Sequence, residues 1–194
     1  TSAQSGSASA TTQSSGGTNL FTDAFDSDTR GNYTCIYNSN GNGTLNYGAV
    51  DKNVYITHSD WNGSTWRTNS KVSAAATEFK VDFKASGFYD YTSTWQTEIT
   101  LIILVNSGAP TNNTAPADAT PDAIRMGVFS DKVVIKKSVG NVYTTLGTPS
   151  YTTSPNTWYT AKVVRNGISY SFYINTTLLA TYTIADSIFN NDAY

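Results

Sequence analysis

The amino-acid sequence predicts an all-β protein of antiparallel strands, arranged as a sandwich or a barrel. The C-terminal stretch, residues 157–184, has the pattern of strands joined by tight turns. Upstream of it, short runs of alternating apolar and polar residues recur at the spacing that is typical of sandwiches and barrels. No convincing amphipathic helix is present, although residues 186–189 would suit one helical turn.

The elements before this stretch are predicted in chain order. Alternating or β-branched and aromatic runs give the predicted strands: 20–25, 33–37, 44–47, 53–57, 77–84, 95–105, 123–129, 132–137 and 142–146. The most regular is 77–84, which alternates apolar and charged residues, and 95–105 is predicted to be a long central strand. Gly, Pro and Asn place the loops between them, including a loop with Trp61 and Trp66, an aromatic loop at 88–94 and a long exposed loop at 107–121.

The C-terminal stretch predicts three strands. Asn166-Gly167 predicts a type I′ turn, in which both residues have a positive φ. The strand after it alternates, and its predicted inner residues are Ile168, Tyr170, Phe172 and Ile174. A second turn, Asn175-Thr176, leads into the last strand, whose predicted inner residues are Leu178, Ala180, Tyr182 and Ile184.

The N-terminal segment, residues 1–18, is low in complexity and rich in Ser, Thr and Gly. Its only apolar residues are alanines, so it buries too little surface to offset the entropy lost on ordering. We therefore expect 1–18 to be a tail or linker, and 19–194 to be the folded domain. An ordered tail of this composition would need a neighbouring subunit or a groove on its own domain to lie against.

Composition excludes several functions. Charged residues make up 13% of the chain and the net charge is −2, which disfavours a nucleic-acid partner or an anionic membrane surface. No apolar run is long enough for a membrane span. Cys35 is the only cysteine, so an intramolecular disulfide or a cysteine metal site is excluded, and we expect a buried, inert thiol. His58 is the only histidine, and we expect it to be structural.

Glycosylation motifs are frequent in this chain. The candidate acceptors are Asn32, Asn42, Asn62, Asn112 and Asn175. A chain so rich in Asn, Ser and Thr also yields such motifs by chance. Together with the low charge they favour an extracellular or cell-surface location.

The order of motifs resembles the concanavalin A-like jelly-roll superfamily, which includes laminin-G-like, lectin and glucanase domains. The similar segments are Phe21–Ser27, the strand Glu78–Lys84, and a final hairpin with Trp158-Tyr159, Val163, Arg165, Gly167 and Ile174-Asn175. The likeness extends over residues 19–184 and implies a two-sheet sandwich. It marks the fold and not an activity, because this fold hosts lectins, glycosidases, lyases and adhesion modules.

The chain also departs from the superfamily pattern. Asp23, Asp26 and Asp28 are candidates for the calcium site of some members, but aspartates are common in turns, and we expect no metal and no other cofactor. The glucanase E-x-D-x-x-E strand is absent. Members usually close with one more strand, so either 187–189 is a short form of it or the sheet has an open edge.

The leading functional hypothesis is a non-catalytic module that binds a glycan or cell-surface polysaccharide. Sugar binding uses flat aromatic faces together with amides and acids that bond hydroxyl groups. The candidate residues are Trp61, Trp66, Tyr89, Tyr91, Gln96 and Glu98. Trp95 and Trp158 are expected in the core instead.

Two other functions stay open. A structural subunit of an extracellular fibre, pilus-like filament, surface layer or virion appendage would self-associate through residues 1–18 or an open sheet edge. A polysaccharide-degrading enzyme would need a second carboxylate near Glu98, and the sequence does not identify one. Glu78 and Asp82 are interpreted as a solvated charge ladder with Lys80.

Overall fold

The computed structural model describes residues 10–14, 19–38, 43–58, 64–88, 99–104, 122–140 and 142–193. Nearly all of the regular structure is β. The strands are β1 (Ala10–Ser14), β2 (Asn19–Asp23), β3 (Tyr33–Asn38), β4 (Gly43–Gly48), β5 (Asn53–His58), β6 (Ser64–Thr68), β7 (Ala76–Phe83), β8 (Ile99–Leu104), β9 (Ala123–Val128), β10 (Val133–Val139), β11 (Val142–Gly147), β12 (Tyr159–Asn166), β13 (Ser169–Ile174) and β14 (Thr177–Thr183). Short 3-10 turns occur at Arg30–Asn32 and Ser187–Asn190. In the described ranges no helix has the length and apolar character needed to cross a membrane.

The strands form two main antiparallel sheets. One has six strands in the order β14-β13-β12-β7-β1-β2, and the other has four in the order β11-β10-β9-β8. Two ribbons, β3-β6 and β4-β5, lie outside them. This architecture confirms the predicted all-β fold with antiparallel sheets.

The core lies between the two main sheets. Phe79 on β7, Val163 on β12 and Phe172 on β13 are paired in register and form one row of the six-stranded sheet. Their partners in the buried cluster include Ile124 and Met126 of β9. Alternate residues along β12 and β13 are buried, which is the period-two pattern that the sequence shows.

Strand β1 differs from the expectation for the N-terminal segment. Ala10–Ser14 lies inside the six-stranded sheet and pairs with β2 on one side and β7 on the other. A strand in this position is held by its backbone hydrogen bonds, which do not require large apolar side chains. Residues 10–14 are therefore paired within the sheet, whereas the sequence analysis placed them in a tail or linker.

The hairpin of β12 and β13 confirms the predicted turn but not its type. Asn166 pairs with Ser169, so the two turn residues are Gly167 and Ile168. Gly167 has a φ of 59°, whereas Asn166 and Ile168 are not among the residues with positive φ. This is the pattern of a type II′ turn, with glycine at the first central position. Ile168 is therefore an exposed turn residue and not an inner strand residue.

The pairing of the last strand explains why Leu178 is exposed, although the sequence predicts that it faces inward. Phe172 pairs with Ala180 and Tyr173 pairs with Leu178, so Leu179 is an extra, bulged residue. The bulge reverses the alternation for the start of β14. Leu179 packs against the core, and Leu178 is 53% exposed.

Replacing Gly167 with alanine should lower the free energy of unfolding by about 1 kcal/mol, because an L residue is strained at this positive φ. No atom lies within 4 Å of the added Cβ, so the effect would be conformational and not steric. Urea unfolding measures it. Gly31→Ala is the matched control, since its Cβ also meets nothing within 4 Å and Gly31 has no positive φ; equal losses in both variants would contradict the turn assignment.

The chain does not end in a further strand of either sheet within the described residues. Ser187–Asn190 is a 3-10 turn that buries Phe189, as the predicted single helical turn allowed. Beyond it, Ala193 forms a single antiparallel bridge with Val72. The Val72 nitrogen lies 2.7 Å from the Ala193 carbonyl oxygen, and the Ala193 nitrogen lies 3.0 Å from the Val72 carbonyl oxygen. Of the two alternatives for the end of the sheet, a short closing strand at 187–189 is therefore not formed, because these residues make a 3-10 turn that buries one aromatic ring.

Candidate functional site

Trp66 is the one candidate aromatic residue that the structure describes. It lies on β6 and not in a loop as predicted, and it pairs in register with Cys35 on β3. Both side chains are half-buried. Cys35 is therefore less enclosed than the sequence suggested.

The side of this ribbon that carries Trp66 also carries Tyr33, because residues at i and i+2 share a face. The Tyr33 hydroxyl donates to Asp23 Oδ2 over 3.0 Å, and burial followed by the Asp23 charge raises the pKa of Tyr33. Thr34, on the opposite side, is exposed. This side of the ribbon therefore packs against the end of β2 through Tyr33, and Trp66 lies on the same side of the ribbon.

The three aspartates considered for calcium serve different partners. Buried Asp23 accepts the backbone N–H of Phe25, whose φ of 54° is unusual for a bulky residue. Asp26 forms an ion pair with Lys52 at 3.1 Å. Asp28 accepts two bonds from the Arg30 side chain, and these hydrogen bonds lower the pKa of Asp28 to about 2.

The aspartates do not act as a group. In the part of the chain that the structure describes, no three His, Cys, Asp or Glu side chains lie close enough to hold a metal ion. The three aspartates are instead engaged by the Phe25 N–H, by Lys52 and by Arg30.

The other candidate sugar-binding residues lie outside the described residues. They are Trp61, Tyr89, Tyr91, Gln96 and Glu98. Among the described residues, the strand that follows Glu98, β8, lies at the end of the four-stranded sheet, whereas the sequence predicts a central strand. Phe88, at the start of the predicted aromatic loop, packs edge-on against Phe83 and Tyr159.

The predicted charge ladder on β7 takes part in contacts with β12. The Lys162 ammonium lies 3.9 Å from the Glu78 carboxylate, and Thr160 donates to Asp82. Trp158, expected in the core, is only half-buried, and the Lys84 ammonium lies 5.2 Å from its ring centre. Its neighbour Tyr159 is the core residue instead.

Two of the five candidate glycosylation sites are described. Asn32 ends the first 3-10 turn and is exposed. Asn175 is exposed in the β13-β14 turn, where its Oδ1 accepts the backbone N–H of Thr160 over 2.9 Å. Asn42, Asn62 and Asn112 lie outside the described residues.

A groove that the sequence did not predict lies at the end of the six-stranded sheet near the β12-β13 turn. Its volume is about 280 Å³, and its lining residues are Ala74, Ala75, Thr77, Arg165, Asn166, Gly167 and Asn190. The groove opens where pairing between β7 and β12 stops at Glu78–Val164. Thr77 is bulged relative to β1, and the alanines before it have side chains too small to fill the space.

Arg165 is the charged residue of this groove. Its Nη1 donates to the carbonyl of Phe189 over 2.9 Å, and Phe189 is itself buried. The guanidinium is therefore held on one side by the last turn of the chain. Arg165 belongs to the final hairpin motif, which the sequence analysis interprets as a feature of the fold, and the alanines at 74 and 75 carry no sequence signal for a groove.

Comparison with known proteins supports the fold. No protein-family model matches this sequence, and no curated protein sequence is similar to it. The carbohydrate-binding module CBM66 from Bacillus subtilis has a similar structure, with a TM-score of 0.52 and 12% identity over 78% of this chain and 79% of that one. Sheep galectin-11, in complex with glycerol, aligns with a TM-score of 0.41 and 12% identity over 64% of this chain and 84% of the galectin.

Proposed function

We propose that this chain is a non-catalytic carbohydrate-binding or adhesion module that acts outside the cell. The observation that carries the proposal is the two-sheet sandwich, which a carbohydrate-binding module shares over 78% of this chain. The surface chemistry fits. The chain has 13 tyrosines and four tryptophans but few charges, and such surfaces bind neutral or weakly charged polyols better than nucleic acid.

The proposed site combines Trp66 with the other aromatic and polar residues that the sequence predicts for sugar binding. Trp61, Tyr89 and Tyr91 would supply further stacking faces, and Gln96 and Glu98 would bond sugar hydroxyls. The half-buried position of Trp66 suits an aromatic side chain that is held by the protein on one side.

Replacing Trp66 with alanine should weaken glycan binding by about tenfold or more, because stacking on an indole face contributes over 1 kcal/mol. A glycan array followed by calorimetry on the best ligand measures this. Trp158→Ala is the matched control, since it removes another half-buried tryptophan. Full affinity in Trp66→Ala, with the fold intact by circular dichroism, would exclude Trp66 from the site.

The polymerising subunit is the weaker proposal, because three edge strands carry a bulge. The extra residues are Leu20 on β2, Leu146 on β11 and Leu179 on β14. Bulges at sheet edges disfavour the addition of another strand. Light scattering at micromolar concentration separates the two proposals, since filaments would favour the subunit.

A further inference from the structure

The groove at the β12-β13 turn has a composition that the proposed aromatic site lacks. One guanidinium, the amides of Asn166 and Asn190, and the hydroxyl-bearing Thr77 line its walls. Its volume of about 280 Å³ is slightly below the usual range for sites that bind drug-sized molecules. Such a space suits one sugar ring and not an extended chain.

The guanidinium of Arg165 is held in place, and the described residues use only part of its hydrogen-bonding capacity. It has five N–H donors, and the described residues provide one hydrogen-bond acceptor for it, the Phe189 carbonyl. Phe189 is 3% exposed, and the bridge of Ala193 to Val72 fastens the segment that follows it. A fixed planar fork binds a carboxylate through two parallel hydrogen bonds with little loss of side-chain entropy.

Three acidic side chains, Glu78, Asp186 and Asp192, make contacts with other groups of the protein. Glu78, at the end of the β7-β12 pairing, faces Lys162 at 3.9 Å. Asp186 accepts Lys137 Nζ at 2.6 Å. Asp192 Oδ1 accepts the backbone N–H of Ala74, a lining residue of the groove, at 2.8 Å. Arg165 is the one charged residue among the described residues that line the groove.

We propose that this groove binds the carboxylate of an acidic sugar, such as a uronic acid residue. Arg165 would hold the carboxylate, and Asn166 and Asn190 would bond the ring hydroxyls. This inference rests on the proposed carbohydrate-binding function, and it adds a second subsite with a defined ligand class. The site depends on the bulge at Thr77 and the short alanine side chains, which keep the groove open.

The test compares methyl β-D-glucuronide with methyl β-D-glucoside. The two differ only at C6, where the first has a carboxylate and the second a hydroxymethyl group. Titration followed by NMR of the ¹⁵N-labelled chain should show shifts at Gly167 and the Arg165 Nε–H with the glucuronide. The affinity for the glucoside should be lower by a factor of about ten or more. Added salt should weaken the binding of the glucuronide. Equal affinity for both sugars, or shifts confined to other residues, would overturn the proposal.

Variants separate a binding role of Arg165 from a structural one. Arg165→Gln should lower glucuronide affinity about tenfold or more, whereas Lys162→Gln, the same charge change on the same strand, should not. If Arg165→Gln fails to fold, Asn166→Asp keeps the Phe189 contact and should still weaken binding by repulsion. If Arg165→Gln folds and its affinity for the glucuronide is unchanged, the groove assignment is overturned. If Arg165→Gln does not fold, unchanged affinity in Asn166→Asp overturns it.

The same experiments distinguish this proposal from the broader one. If neutral glycans bind in a Trp66-dependent way but the glucuronide does not, carbohydrate binding stands and the groove proposal fails. If no glycan binds on the array and neither methyl glycoside gives shifts, both fail.

Discussion

Replacing Phe172 with alanine is expected to lower the free energy of unfolding by about 3 to 5 kcal/mol. The ring is fully buried on β13, and its strand partners are Val163 and Ala180. Tyr182 packs against it with the ring centres 6.0 Å apart. The truncation would leave a cavity between strands that are held on both sides, so little relaxation is available. Urea unfolding of the wild type and the variant measures the loss.

The adjacent residue provides the control for this substitution. Tyr173 has the opposite orientation on the strand, and the Lys162 ammonium lies 4.7 Å from its ring centre. Tyr173→Ala should therefore cost about 1 kcal/mol or less. Similar losses at both positions would mean that the register of β13 is not the one described.

Replacing Thr11 with proline is expected to destabilise the six-stranded sheet by about 2 kcal/mol or more. Thr11 pairs with Thr22 on one side and with Lys80 on the other. In an inner strand every N–H points toward a paired neighbour, so proline removes a ladder bond and leaves an acceptor unsatisfied. Because proline has no backbone N–H to donate, it occurs in sheets mainly on edge strands.

Thermal and urea unfolding, together with hydrogen exchange of β2 and β7, measure this effect. Thr11→Val is the control, because it keeps the N–H and has a high strand propensity. A proline variant as stable as the wild type would show that residues 10–14 are a tail, as their composition alone suggested, and not part of the sheet.

The candidate site was predicted less well than the fold, and for a physical reason. Trp66 is a candidate by its residue type, since a tryptophan near turn residues is a common sugar-stacking surface. Arg165 and the alanines at 74–76 carry no such signal by themselves. They become a groove only because β7 and β12 separate at Glu78–Val164 and the C-terminal turn places Phe189 beside the guanidinium.

The strand positions of β3, β4, β5, β7 and β9 to β14 follow from the sequence alone, because period-two alternation and turn residues are local properties of the chain. The position of β1 between β2 and β7, the Leu179 bulge and the curled segment at 187–190 were decided by the tertiary structure. Each depends on which distant backbone or side chain is available as a partner. A Ser/Thr-rich segment can complete a sheet where neighbouring strands offer hydrogen bonds on both sides, and nothing in its own composition records those neighbours.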